Sequence, residues 1–177
     1  MTPDRIEKQV ILPAPLQAVW HAVADAGQFG TWFGVRFDGP FAAGATVTGH
    51  IVPTRMDPDI ARLQQPYAGT AFALQVDQIV PMRRIAFRWH PFAVEPGIDY
   101  TAEPMTLIVF ALEPVADGTR LTITESGFDQ LPPARRARAY AASDGGWTMQ
   151  TRLIATYLAG GPSGPKTGQA TTGQGTT

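Results

Sequence analysis

No cysteine occurs among the 177 residues, so the chain forms no disulfide, offers no thiolate nucleophile and has no sulfur-ligated metal site. Charge is scarce too: Asp, Glu, Lys and Arg make up 16% of the chain, and 14 basic against 15 acidic residues leave a net charge of -1. That balance supplies no field to gather on phosphate backbones, so no nucleic-acid partner is expected. No apolar run approaches the roughly 18 residues of a membrane span. The start Met1-Thr2-Pro3-Asp4-Arg5 lacks the basic-then-apolar order of a secretory leader. The expectation is a cytoplasmic protein without membrane insertion.

Motifs for common chemistry are missing as well. There is no GxSxG, no P-loop and no GxGxxG, which removes the mechanical parts of hydrolase elbows and of nucleotide and dinucleotide sites. The three histidines, His21, His50 and His90, have no HxH or HxxxH spacing, so no metal and no cofactor are expected.

Apolar residues reach 44% and aromatics 10%, enough for one sizeable core but not for two domains in a chain of this length. Gly 18 and Pro 16 are in excess, together about 19% against roughly 12% in ordinary usage. Part of that excess lies in residues 160–177, a Gly/Thr/Gln-rich stretch with Lys166 as its only charge. Such a stretch cannot bury enough surface to offset its ordering entropy, so residues 1–159 read as one domain and 160–177 as a disordered tail.

Along the domain, Arg5–Leu12 reads as a strand ended by Pro13-Ala14-Pro15, with proline placed to open a helix. Leu16, Val19, Trp20 and Val23 form an amphipathic stripe, followed by a break at Asp25-Ala26-Gly27 and a second short helix through Phe33. The period then becomes two. Val47/Gly49/Ile51, Phe72/Leu74/Val76 and Ile85/Phe87/Trp89 each share one face of an alternating run, as do Ile108/Phe110/Leu112 and Leu121/Ile123. Asp117-Gly118 between the last two runs marks a hairpin. Pro132-Pro133 opens a long terminal helix, read as interrupted near Ser143-Asp144-Gly145-Gly146. The class is α+β: strand, two short helices, five or six antiparallel strands and a long helix over the apolar face of a curved sheet.

The segments Ala18-Val19-Trp20, Gly30-Thr31-Trp32-Phe33-Gly34, Arg84-Ile85-Ala86-Phe87-Arg88-Trp89-His90-Pro91, Leu112-Glu113-Pro114, Gly118-Thr119-Arg120-Leu121-Thr122, Glu125-Ser126-Gly127-Phe128 and Gly145-Gly146-Trp147 carry a resemblance. In that order they resemble the SRPBCC superfamily, also called START-like or Bet v 1-like. The nearest branch is named for the carboxy-terminal domain of the activator of the heat-shock protein 90 ATPase. The resemblance spans about Arg5 to Leu158 and implies a helix-grip fold, a curved sheet of about seven strands wrapped around the terminal helix and enclosing an apolar pocket. It leaves the activity open, because one fold hosts carriers, receptors and cyclases alike.

Strict alternation carries Glu125 inward behind Leu121 and Ile123. It is either a polar anchor or general acid/base of a pocket, or a strand-end carboxylate that reaches water or an arginine. His90, of opposite parity to Phe87, points outward unless Pro91 turns the chain to a pocket lip. Catalytic candidates are therefore Glu125 and His90. The expected ligand-binding set is Trp32, Phe33, Phe72, Leu74, Phe87, Trp89, Ile108, Phe110, Ile123, Glu125, Trp147 and Ile154, residues that serve a core as readily as a cavity.

Gly145-Gly146 costs about 1 kcal/mol per glycine inside a helix, which either leaves room for a ligand or allows close packing or a kink. Residues 53–66 and 91–104 read as long loops that suit a lid or a homodimer contact. Arg135, Arg136 and Arg138 read as a solvated helix face. The leading expectation is a non-enzymatic module that binds a small hydrophobic or amphipathic molecule. Alternatives are a cyclase-, dehydratase- or hydrolase-like enzyme on an aromatic or polyketide-like substrate, and a chaperone-activator-like adaptor. Chaperone contact ranks last, because the half that makes it in the two-domain co-chaperone has no counterpart here.

Overall fold

The computed structural model describes residues 3–161, so the stretch read as a tail lies, beyond Gly161, outside the described residues. Seven antiparallel strands form one sheet in the order β1-β7-β6-β5-β4-β3-β2. They are β1 (Arg5–Leu12), β2 (Val35–Phe37), β3 (Thr46–Ile51), β4 (Ala71–Val80), β5 (Arg84–Trp89), β6 (Thr106–Val115) and β7 (Gly118–Ser126). Helices α1 (Leu16–Ala24) and α2 (Ala26–Phe33) follow β1, and α4 (Pro133–Leu158) closes the fold over the concave face. This is the α+β helix-grip architecture.

The period-two runs produce the burial expected of a half-solvated sheet. In β7, Thr119, Leu121, Ile123 and Glu125 are buried and their neighbours are not. In β6, Thr106, Ile108, Phe110 and Leu112 are buried, and Val115 pairs with Gly118 across a two-residue turn, Ala116-Asp117. Gly118 has φ 143 and packs against the Leu12 carbonyl, where a side chain has no room.

Three local expectations are corrected. First, α4 is continuous for 26 residues. Ala139, Ser143, Trp147, Gln150, Ile154 and Tyr157 form a buried stripe along it, so tertiary packing holds the helix through its two glycines, as packing rather than propensity usually does. Second, the segment read as a loop over 53–66 contains α3 (Pro58–Gln64), whose N-cap Asp57 accepts from the Asp59 and Ile60 amides at 2.9 and 3.1 Å. Third, Pro15 is the N-cap of α1 rather than its first residue.

At the α1/α2 end the core is aromatic. Phe29 packs against Trp32, Phe33, Phe37, Phe41, Phe87 and Phe110, with ring centroids 4.7–5.9 Å apart. The Trp32 indole donates to the Ala22 carbonyl at 2.9 Å, tying α2 to α1.

Candidate functional site

Past Phe33 and Trp147 the packing opens. Gly34, left-handed at φ 95, ends α2, and Gln64 of α3 is fastened beneath it. Its Nε2 donates to the Phe33 carbonyl at 3.0 Å and its Oε1 accepts from the Thr54 amide at 2.7 Å. Between α3, the rims of β4 and β5, the segment after β5 and the middle of α4 lies a groove of about 300 Å³. Phe33, Ile60, Leu63, Phe72, Trp89, Phe92, Trp147 and Met149 belong to its apolar wall, and among the described residues no Asp, Glu, Lys or Arg lines it.

Gly146 also lines the groove, and a Cβ placed there, or at Gly145, would meet nothing within 4 Å. The close-packing explanation for these glycines is therefore corrected: the space beside Gly146 belongs to the groove, not to a neighbouring strand.

Glu125 lies behind this wall rather than on it. Its side chain is fully buried, with relative exposure 0%. Oε2 accepts from the Trp89 indole at 2.8 Å and from the Thr106 hydroxyl at 2.6 Å, and Oε1 accepts from the Trp147 indole at 2.8 Å. An indole N–H can only donate, so one carboxylate holds an indole from β5 and another from α4, rings whose centroids are 5.9 Å apart. The sequence alternation led to Glu125; the bracket itself depends on tertiary register. The Glu125 carboxylate orients two groove walls and does not face the groove.

His90 follows β5 directly, at the lip. It lines the groove and also a neighbouring chamber of about 550 Å³ formed with residues 93–101. Burial first, and the Arg135 guanidinium second, push its pKa below the usual histidine value, against the opposing pull of Glu103 and Asp99. The imidazole is therefore neutral at pH 7, and its Nδ1 is buried with no hydrogen-bond partner. Gln150 Oε1 is in the same condition, while Gln150 Nε2 donates to the Phe33 carbonyl at 3.2 Å.

The basic run on α4 is a solvated face only at Arg138, whose side chain is 68% exposed. Arg135 pairs with Glu103 at 2.9 Å, donates to the Pro91 and Phe92 carbonyls at 2.9 and 3.0 Å, and stacks on Tyr100 at 4.6 Å. Arg136 donates to the Asp129 and Leu131 carbonyls. Arg138 lies 3.6 Å from Glu95 and over Phe92. Arg135 and Arg138 thus clamp the 91–104 segment to the helix.

Of the residues expected to bind a ligand, Phe33, Phe72, Trp89 and Trp147 line the groove, with His90 beside them. Trp32, Leu74, Phe87, Ile108, Phe110, Ile123 and Ile154 lie in the close-packed core instead. Ile60, Leu63, Gln64, Met149 and Gln150 were not anticipated. Asp57-Pro58, a capping residue followed by proline, is the signal that could have found α3. His21 and His50 are exposed. Among the described residues no cluster of His, Cys, Asp or Glu could hold a metal ion, and no helix is long and apolar enough to cross a membrane.

The family model described as Activator of Hsp90 ATPase homolog 1-like protein matches residues 13–159. The chain belongs to that family. Among solved structures with the same fold as this family member is DynU16, a protein in the dynemicin biosynthetic locus, at 25% identity and TM-score 0.64. That match covers 93% of this chain and 51% of DynU16, so the chain spans about half of DynU16's length. Protein MLL2253 from Mesorhizobium loti is 19% identical at TM-score 0.63, with 88% of this chain and 96% of that one covered. A protein from Arthrobacter aurescens is 18% identical at TM-score 0.65, with 97% and 93% covered. The last two likenesses speak for the fold alone. No curated protein matches the chain.

Proposed function

We propose that this protein is a binding module for a small, mostly apolar molecule, held in the groove beneath α4. The observation that carries the reading is a groove of about 300 Å³ whose wall is largely apolar and includes six aromatic rings, at the lower end of ordinary small-molecule sites. The vacancy beside Gly146 and the two unpartnered polar atoms of His90 and Gln150 support it, since apolar pockets fix orientation with a few polar groups. The likeness to DynU16 supports a ligand drawn from small-molecule biosynthesis, and a cytoplasmic setting accords with it.

A catalytic version of this reading assigns acid–base work to His90, because Glu125 is not on the wall. Native mass spectrometry of the purified protein, with a thermal-shift screen of neutral aromatic compounds, tests the binding reading. The expected result is bound mass released by organic solvent, or a stabilised melt with quenched Trp89 and Trp147 emission. No bound mass and no shift across the screen would overturn it.

A further inference from the structure

The groove continues past His90. Thr70, Phe72, Trp89, His90, Ala93 and Val94 belong to the walls of both the groove and the side chamber, so one ligand can occupy both. The two compartments differ in charge. Among the described residues, Glu95 and Asp99 are the only acidic side chains on either wall, and no Lys or Arg lines either one. The nearest guanidinium groups are already matched, Arg135 with Glu103 and Arg138 with Glu95.

Asp99 makes no ion pair among the described residues. Its Oδ1 accepts from the Thr101 amide at 2.9 Å and from the Thr101 hydroxyl at 2.6 Å, bonds that hold its carboxyl below the usual range and leave Oδ2 outside them. Trp89 and Phe72 stand at the junction, and aromatic rings attract cations. In the groove itself, Gln150 is 8% exposed and its buried Oε1 accepts from nothing. An anionic ligand would find acceptors and a carboxylate; a ligand rich in donors would find partners.

We propose that the ligand is an amphipathic amine, with its apolar body beneath α4 and its protonated amino group carried past His90 to Asp99. The inference rests on the groove being the ligand site and adds the charge of the ligand's polar end. The test uses three matched probes, 4-phenylbutylamine, 4-phenylbutan-1-ol and 4-phenylbutyrate, titrated at low ionic strength with tryptophan emission and ligand-observed NMR as readouts. The amine is expected to bind about threefold more tightly than the alcohol, the scale of one exposed ion pair, with the carboxylate weakest. Added salt should shrink the amine's lead. Asp99→Asn, which keeps an oxygen for Thr101, should bring the amine to the alcohol's affinity and leave the alcohol unchanged. Alcohol binding without an amine advantage, or an advantage that survives Asp99→Asn, overturns the charge inference and leaves the groove standing. No binding by any of the three overturns both.

Discussion

The two ends of the helix–sheet layer use the same residue types to different ends. Around Phe29, rings from α2, the sheet and Phe41 interlock, and Trp32 gives its indole N–H to a local carbonyl. Around Trp147 the rings also meet, at 5.7–6.0 Å from Phe33, Trp89 and Phe110, but the indoles of Trp89 and Trp147 are tied back to Glu125, and Gly146 offers no side chain to fill what remains. Indoles are fixed by hydrogen bonds in both places; what sets the groove apart is the side chain missing at Gly146.

The largest test of that contrast is Glu125→Ala, which strands three buried donors and should destabilise by on the order of 4 kcal/mol; urea melts check it. Phe110→Ala at the closed end should cost about 3–5 kcal/mol, whereas Met149→Ala on the groove wall should cost under about 1 kcal/mol. Equal costs in the same melts would erase the distinction between core and wall. Arg135→Met releases four partners of the 91–104 segment and should cost about 2 kcal/mol, with faster amide exchange confined to that segment.

Gly146→Ala should stabilise by about 1 kcal/mol, since the added methyl meets nothing, and Gly146→Leu should keep the fold yet remove ligand binding in the thermal-shift assay. The smallest effect concerns pH. His90 has a lowered pKa in the fold, so the unfolded chain binds its proton more readily. Its contribution to stability is present above the ordinary histidine value of about 6.5 and is lost as pH falls through the folded value. Melting temperature should therefore drop on acidification, and less so in His90→Gln.

Faces were legible in the sequence because side-chain parity is a local property. Leu121, Ile123 and Glu125 share one face by alternation alone, and the structure places all three inward. Depth was not legible. Phe87 and Trp89 are two residues apart on one face, yet Phe87 sits in the closed core and Trp89 on the groove. The difference comes from which element lies above each residue, and that depends on pairings such as Trp89 with Thr106 and Ile108 with Glu125. Much of the groove comes from element ends, Phe33 at the close of α2 and Trp89 at the close of β5, where periodic patterns stop. Arg135 was unreadable for a related reason: its partners lie 32 to 44 residues away in the chain.

The Arg135 clamp has one more implication, which concerns rates rather than affinities. The 91–104 segment borders both compartments but is fastened mainly to a single helix side chain, outside the ladder of the sheet. For the proposed ligand, loosening it would open a path that leaves the strands shaping the groove undisturbed, so Arg135→Met is expected to change exchange rates more than affinity.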